Sequence, residues 1–273
     1  MGDPAKKILF VNSEIFPYLP ETPIARIGRL LPIGIQERKK EIRSFMPRYG
    51  CINERKNQLH EVIRLSGLNI IIGDVDRPLI IKFASISADR IQVYFIDNED
   101  YFHRKRIYTD ENGKFFEDNA ERAIFFARGV LETVKKLRWT PDIIHCHGWI
   151  SHILPLYLKK AYKDDPIFSN SRIVLSLYGD AADEKFCDDF CDKIPFGTNI
   201  SREDTEILAE ASGTNLAKLA IRHSDGLIFG ADNLPEAVAE AARQSGLPVL
   251  EYDAKDMESG EYIDKYNSFY DCI

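Results

Sequence analysis

Short apolar runs alternate with amphipathic segments along most of this chain. Residues 7–11 are apolar after the first position, which is typical of a strand buried on both faces of a parallel sheet. Apolar residues then recur at helical spacing over 24–38, and 41–46 alternates like a strand that stops at Pro47. Because the three segments together have the length of a strand–helix–strand crossover, they predict two parallel strands joined by a helix.

The middle of the chain, about residues 58–98, is rich in β-branched and aromatic residues. Four short runs (HEVIRL, LNIII, PLIIKFASI and RIQVYFID) are separated by glycine, proline and aspartate turn positions. This pattern predicts a β-hairpin or meander inserted after the second strand. The polar and aromatic stretch that follows, 98–119, predicts a long loop of the kind that often carries function.

Beyond residue 119, helices and strands alternate again. The strongest helix is 120–137, with Asp118 or Asn119 at its N-cap and lysines in its last turn. Further strands are predicted at 141–147, 171–178, 226–230 and 248–252, and further helices at 153–162, 205–223, 235–244 and 259–273. We therefore predict the α/β fold class: a single domain over 1–273 with a doubly wound, mostly parallel sheet.

Composition and charge narrow the functional classes. The chain has 273 residues, of which 44% are hydrophobic and 29% charged, so it can bury a large core and is not expected to be disordered. A formal net charge of −7 argues against binding driven by nucleic-acid phosphates. No apolar run has the length of a membrane span, and the apolar part of the start is too short for a secretory leader. We predict a cytoplasmic protein with neither nucleic acid nor membrane as a partner.

The cysteines and the common nucleotide-binding motifs add further exclusions. Five scattered cysteines predict reduced thiols, and although Cys187 and Cys191 stand four residues apart, no second pair completes a zinc site. The sequence contains no G-x-G-x-x-G, no G-x-x-x-x-G-K-[ST] and no G-x-S-x-G. We therefore expect no bound metal or cofactor, and the usual dehydrogenase, P-loop and hydrolase classes are excluded.

Four segments, in order along the chain, resemble one enzyme family. They are KILFVNSEIFPYLPETPIARIGRLLPIGIQERKKEIRSFMPRYG, FEDNAERAIFF, PDIIHCHGW and TNLAKLAIRHSDGLIFGADNLPEAV. They are similar to segments of bacterial glycogen synthases and plant starch synthases, the family 5 glycosyltransferases. The resemblance implies the N-terminal, catalytic-type, Rossmann-like domain of such an enzyme. Family members have a second Rossmann-like domain that holds most of the sugar nucleotide, and we expect this domain to be absent from 1–273. The enzyme is then either minimal or completed by a partner chain that supplies the second domain.

The resemblance implies catalytic roles for His145, His147 and Asp118. The two histidines stand at the predicted C-terminal end of a parallel strand, where open α/β sheets bind ligands, and their spacing points both rings to one face. In the family, a histidine of this motif lies against the transferred sugar, and an aspartate that matches Asp118 lies near it. Gly148 and Ile150 replace the next aspartate and histidine of the motif. The alternatives are a buried histidine bonded to a backbone carbonyl and an aspartate that only caps its helix.

The resemblance also implies a set of substrate-binding residues. They are Ser13, Glu14, Arg26, Asn119, Arg122, Trp149 and Tyr178. Ser13 and Glu14 match a family loop that borders the cleft, and Tyr178 stands where the family's T-V-H-N has its histidine. Three of these residues have a structural alternative: Trp149 as core packing, Arg122 as the ion-pair partner of the aspartate one helical turn earlier, and Arg26 as a solvent-facing charge.

The expected donor-phosphate loop departs from the family. Family members have K-T-G-G at a helix N-terminus, where free amides and the helix dipole bind phosphate, whereas this chain has Pro-Glu-Thr-Pro at 20–23. Proline has no N–H to donate, and Glu21 would repel a diphosphate. Arg26 replaces a family aspartate and is either a relocated cation or a solvent-facing charge.

Two functions therefore compete. The first is a glucosyltransferase domain that moves glucose from ADP-glucose to an α-1,4-glucan with retention of configuration, with a degenerate donor loop. The second is a non-catalytic glucan-binding or regulatory module that has lost the donor chemistry. Both predict an α-glucan or maltooligosaccharide as the bound partner, and only the first predicts that ADP-glucose binds.

Overall fold

A ten-stranded sheet forms the centre of the computed structural model, which describes residues 5–86 and 89–273. The strands are β1 Lys7–Asn12, β2 Glu41–Pro47, β3 His60–Glu61, β4 Leu68–Ile72, β5 Val75–Ile86, β6 Ile91–Asp97, β7 Ile143–His147, β8 Arg172–Leu177, β9 Gly226–Phe229 and β10 Val249–Leu250. Their order is β10-β9-β8-β7-β1-β2-β6-β5-β3, and β4 pairs with β5 away from this path. The strands from β10 to β6 run parallel, as the alternation of helices and strands predicts.

Helices cover both faces of this sheet. They are α1 Pro23–Glu37, α2 Glu99–Phe102, α3 Asn119–Leu137, α4 Leu154–Lys160, α5 Phe190–Lys193, α6 Gly213–Arg222, α7 Glu236–Gln244, α8 Ala254–Ser259 and α9 Tyr262–Cys272, with 3₁₀ helices at Trp149–Ser151 and Glu203–Ala209. Successive residues of β1 point to opposite faces. Leu9 and Val11 belong to the larger core with α3, α4, α6 and α7, and Ile8 and Phe10 to a smaller core with α1 and α9. This is the predicted doubly wound α/β fold.

The β-rich middle of the chain forms antiparallel hairpins, as its pattern predicts. β5 pairs antiparallel with β6, and also with β3 and β4. β6 also pairs in parallel with β2, where Phe45 lies opposite Tyr94. The segment predicted as an insertion at 58–98 therefore supplies a strand of the central sheet. The local pattern could not show this, because the neighbour of a strand is fixed by pairing between distant residues.

The continuous helix predicted over 205–223 is wrong. A 3₁₀ helix ends at Ala209, and α6 begins anew with Ser212 as its N-cap, whose Oγ accepts from the N–H of Asn215 at 3.2 Å. A Cβ at Gly213 would overlap the carbonyl oxygen of Ala181. The chain breaks here because a distant loop approaches its backbone closely.

The remaining expectations concern membranes and cysteines. Within residues 5–86 and 89–273, no helix combines the length and the apolar character that a bilayer span requires. All five cysteines are free, and α5 contains Cys191 but not Cys187. The start of the chain considered for a leader includes residues 1–4, which lie outside the described residues.

Candidate functional site

Three loops meet where β1, β7 and β8 end. They comprise residues 12–14, 147–149 and 178–180. The N–H of Ser13 donates to the carbonyl oxygen of His147 at 2.8 Å, and the N–H of Trp149 donates to Asp180 Oδ2 at 2.8 Å. Because open α/β sheets bind ligands at the C-terminal ends of their strands, we call these three loops the strand-edge site.

His145 and His147 lie side by side on the face of β7 that α1 and α9 cover. Their ring centroids are 3.8 Å apart, and neither residue is exposed. Burial lowers the pKa of His145 well below its ordinary value, with a smaller contribution from His147. Burial also lowers the pKa of His147 to about 3. Both imidazoles are therefore neutral at physiological pH.

The two histidines differ in their free hydrogen-bonding capacity. His145 Nδ1 lies 2.6 Å from the Tyr270 hydroxyl, and its Nε2 lies 2.8 Å from Ser176 Oγ. His147 Nδ1 lies 3.0 Å from the Tyr178 hydroxyl, while its buried Nε2 has no partner among the described residues. These ring partners are side-chain hydroxyls and not the backbone carbonyl of the alternative interpretation. Of the two rings, His147 is the one that keeps a nitrogen for a ligand.

The loop after β1 brings Ser13 and Glu14 to the same edge. Ser13 is buried, and its Oγ has no partner in the described chain. Its carbonyl oxygen accepts from the Tyr49 hydroxyl at 3.1 Å, so the MPRYG turn after β2 holds this loop. Burial raises the pKa of Glu14, and a hydrogen bond of 2.7 Å from Thr22 Oγ1 partly offsets the effect.

Asp180 joins the site, although the sequence analysis did not single it out. Its Oδ2 is held by the N–H of Trp149, but its Oδ1 is buried without a partner among the described residues. Burial raises the pKa of Asp180 to about 6; the charge of Glu14 adds to this rise, and the hydrogen bond from Trp149 opposes it. The available signal was a carboxylate close behind a buried strand, at the edge where ligands bind.

Gly148 explains how Ser13 and Asp180 come together. Its φ of 82° and ψ of 155° fall in a region that only glycine occupies readily. A Cβ at this position would overlap Ser13 Oγ and lie 3.2 Å from Asp180 Oδ2. The resemblance leads one to expect an aspartate at position 148, but there is no room for a side chain there. Asp180 instead places a carboxylate next to this position.

Trp149 is packed into the core. It is 2% exposed, and its ring centroid lies 5.1 Å from that of Tyr108, 5.3 Å from that of Phe115 and 5.5 Å from that of Phe186. This is the packing that the structural alternative describes. The ring offers no open face to a sugar in this conformation.

Asp118 lies in a separate group at the start of α3. It forms hydrogen bonds of 2.6 and 2.5 Å with the guanidinium of Arg104, and its side chain does not cap the helix. With Arg104 and Lys114 it lines a depression of about 420 Å³ whose lining includes no residue of the strand-edge site. The structure therefore does not bring Asp118 beside the histidines.

Arg122 and Asn119 support the loop before α3. Arg122 is fully buried; it donates to the carbonyl oxygen of Tyr101 at 2.8 Å and to Asn119 Oδ1 at 2.5 Å. Asn119 in turn donates to the carbonyl oxygen of Tyr108 at 2.9 Å. The hydrogen-bonded pair between Arg122 and Asp118, offered as an alternative from the sequence, is not formed because Arg104 takes that carboxylate.

The start of α1 is where the resemblance places the family's phosphate loop. Thr22 Oγ1 accepts from the N–H of Ala25 at 3.0 Å and caps the helix, and Pro23 opens it. The Arg26 side chain is 63% exposed and lies 3.9 Å from Glu21. It is a solvent-facing charge at the rim of a groove of about 760 Å³ between α1 and the segment that contains α8 and α9.

The sequence was compared with known proteins. A family model described as the starch synthase catalytic domain matches residues 7–242. The chain belongs to this family. It is 40% identical over 173 residues to a glycogen synthase of Chlorobium limicola and 39% identical over 173 residues to one of Chlorobium luteolum. Each match covers 63% of this chain and 35% of the relative, so the chain spans about a third of the length of these glycogen synthases.

A solved starch synthase shares the fold of this chain. The catalytic domain of starch synthase IV from Arabidopsis thaliana, bound to ADP and acarbose, superposes with a TM-score of 0.73 at 14% identity. The match covers 91% of this chain and 51% of that one. The resemblance to glycogen and starch synthases drawn from four short segments is thus confirmed, as is the fold it implies.

Proposed function

We propose that this chain is a glucosyltransferase domain of the starch or glycogen synthase type, which transfers glucose from ADP-glucose to an α-1,4-glucan with retention. At the strand-edge site of this family member, five buried polar atoms have no hydrogen-bond partner among the described residues, of which two are Asn12 Oδ1 and Trp149 Nε1. The other three carry the proposal. Ser13 Oγ, His147 Nε2 and Asp180 Oδ1 have no partner among the described residues. Buried polar groups are normally hydrogen-bonded, so these three are available to a polar ligand.

The chemistry of the three groups suits a sugar. Each sugar hydroxyl both donates and accepts, and an imidazole, a hydroxyl and a carboxylate together supply both kinds of partner. Few, fixed polar groups at the end of a sheet orient a bound ligand. Transfer also requires stabilisation of the leaving diphosphate, and a neutral imidazole and a carboxylate do not supply it. The role of this edge is therefore to hold and orient the glucosyl group.

The start of α1 favours a second candidate function. Among the described residues that line the groove there, Arg26 is the one cation, whereas three glutamates, Glu21, Glu37 and Glu258, share the lining. This balance disfavours a diphosphate. It supports either a donor site supplied by a partner chain or a non-catalytic module that binds glucan alone.

Two measurements on the purified chain separate these functions. Calorimetry is carried out with maltopentaose and with ADP-glucose, and glucose transfer to glycogen is followed in parallel. Transfer supports the enzyme. Binding of maltopentaose without binding of ADP-glucose or turnover supports the non-catalytic module. The absence of maltopentaose binding contradicts both.

The site itself is tested with Ser13→Ala. We expect the affinity for maltopentaose to fall about fivefold to tenfold, because a net hydrogen bond contributes about 1 kcal/mol. Ser169→Ala is the matched control, since Ser169 is exposed and its Oγ makes only a bond of 3.4 Å to the carbonyl oxygen of Pro166. Equal affinities of the two variants would place the ligand elsewhere.

A further inference from the structure

Two groups of hydrogen-bonded side chains surround the histidine pair. Tyr270, His145 and Ser176 form the first group, and Tyr178 and His147 form the second. The two imidazole rings lie against each other, with their centroids 3.8 Å apart. Hydroxyl and neutral imidazole groups can each donate or accept, so the direction of each hydrogen bond decides which nitrogen of the ring carries the proton.

Tyr270 sets the direction at one end. It is fully buried, and within the described chain its hydroxyl has His145 Nδ1 as its partner, at 2.6 Å. A buried phenol must place its proton on an acceptor, so Tyr270 donates and His145 Nδ1 accepts. The neutral ring of His145 then carries its proton on Nε2 and donates it to Ser176 Oγ, at 2.8 Å.

Tyr178 sets the proton of the second ring. Its side chain is half-buried, and within the described chain its hydroxyl has His147 Nδ1 as its partner, at 3.0 Å. An imidazole nitrogen is a stronger base than a phenol oxygen, so the Tyr178 hydroxyl donates and His147 Nδ1 accepts. The neutral ring of His147 then carries its proton on Nε2.

We propose that Tyr178 is a positioning residue that fixes the proton of His147 on Nε2, so that this ring presents an N–H donor at the strand-edge site, as Tyr270 fixes the proton of His145. This N–H donates to an oxygen atom of a ligand, either of a sugar hydroxyl or of a phosphate. Only the identity of that ligand rests on the proposed function. His147 is then a hydrogen-bond donor and not a general base. Tyr178, which stands where the resemblance places a histidine, thereby has a role at the site.

The proton positions are tested by nuclear magnetic resonance on the full chain labelled with ¹⁵N at histidine. Two-bond and three-bond ¹⁵N–¹H correlations distinguish a protonated from an unprotonated ring nitrogen, and His147→Asn identifies the His147 signals. We expect a protonated Nε2 and a hydrogen-bonded, unprotonated Nδ1 on both rings. A protonated Nδ1 on His147 would overturn the proposal.

Variants test the contacts one at a time. Tyr178→Phe is expected to move the Nδ1 signal of His147 to the position of a nitrogen without a hydrogen bond, and Tyr270→Phe to do the same for His145. Tyr266→Phe is the matched control on α9, because its ring centroid lies 6.0 Å from that of His145 and its hydroxyl makes no hydrogen bond to either histidine. An unchanged His147 signal in Tyr178→Phe also overturns the proposal, even if the α9 variant fails to fold.

Ligand titrations separate this inference from the proposed function. Maltopentaose and ADP-glucose are added in turn to the labelled wild-type chain, and the Nε2 signal of His147 is followed. A shift with maltopentaose identifies a hydroxyl oxygen as the acceptor, and a shift with ADP-glucose alone identifies a group of the sugar nucleotide. If neither ligand moves the signal while the proton lies on Nε2, the proposed function fails and the proton assignment stands.

Discussion

Individual side chains at the strand-edge site lower the free energy of unfolding of the protein. Asp180 is the plainest example, because one of its carboxylate oxygens is buried without a partner among the described residues. Burying an ionised group without full compensation destabilises the folded state. Groups of this kind concentrate where a protein binds or transforms a ligand, since there the strain is useful.

The pH dependence of stability reports on Asp180. Its pKa of about 6 lies above the ordinary value of 3.8, so the folded state holds the proton more tightly than the unfolded chain does. Stability due to this group is therefore lost as pH rises from about 4 to about 6. We expect Asp180→Asn, which keeps an acceptor for Trp149, to be more stable than the wild type by about 3 kcal/mol at neutral pH and by little below pH 4.

Urea unfolding at a series of pH values measures this difference. Asp183→Asn is the control, because Asp183 lies in the same loop and is exposed. A stability difference for Asp180→Asn that does not change with pH would contradict the burial of its charge.

Gly148 supplies a second prediction at this scale. We expect Gly148→Ala to lower the free energy of unfolding by about 3 kcal/mol or more, because a Cβ adds an overlap with Ser13 Oγ to the strain of a positive φ. Gly113→Ala has the same φ of +82° but open space around its Cβ, so it should cost only about 1 kcal/mol. Thermal and urea unfolding compare the two, and equal losses would mean that the contact with Ser13 is not tight.

At the scale of elements, the N-cap residue of α1 links this helix to the strand-edge site. Thr22 Oγ1 accepts from the N–H of Ala25 and donates to Glu14, so one hydroxyl both begins the helix and holds a site carboxylate. Movement at the start of α1 is therefore transmitted directly to the loop after β1.

Thr22→Ala tests this double role. We expect a loss of about 1 to 2 kcal/mol, from the cap and from the bond to Glu14, and a further rise in the pKa of Glu14. Ser212→Ala, which removes the cap of α6 alone, should cost about 1 kcal/mol. Thr22→Ser retains both bonds and should restore stability; failure of this rescue would show that the methyl group, and not the hydroxyl, matters.

Helices and strands could be predicted from the sequence where the residue pattern within the segment determines them. The strands at 7–11 and 141–147 and the helix at 120–137 follow from apolar spacing and were found close to those bounds. The break before α6 depends on the carbonyl of Ala181, about thirty residues away, and no local pattern contains it. For the same reason the partner of Asp118 was missed: Arg104 reaches it across a loop, whereas the helical spacing pointed to Arg122.

The candidate site was predictable at its strand ends only. Ser13, Glu14 and His147 come together because parallel strands finish at a common edge, which the alternation of elements already implied. Whether a ring nitrogen or a carboxylate oxygen is left without a partner depends on neighbours from distant elements, such as Tyr270 on α9. The same holds for Trp149, which was expected among the substrate-binding residues: three aromatic rings that are distant in the sequence enclose its side chain.

At the scale of the whole molecule, charge separates the two proposed ligands. The chain has a formal net charge of −7, and the polar groups offered to a glucan at the strand edge include a neutral imidazole and a hydroxyl. We expect maltopentaose binding to change less than twofold over about a tenfold range of ionic strength. Binding of ADP-glucose through Arg26 would weaken steeply over the same range. Calorimetry in buffers of increasing salt distinguishes them, and a strong salt dependence for maltopentaose would contradict recognition of a neutral sugar by hydrogen bonds.

Complete enclosure of the imidazoles also governs their reactivity. His145, His147 and His152 are almost wholly shielded, whereas His60 and His103 are exposed. An acylating reagent such as diethyl pyrocarbonate should therefore label the exposed pair at once and reach His147 only when the polypeptide around it opens. The rate of this slow labelling of His147 therefore measures how often the protein opens to admit a ligand. The measurement requires no knowledge of the substrate.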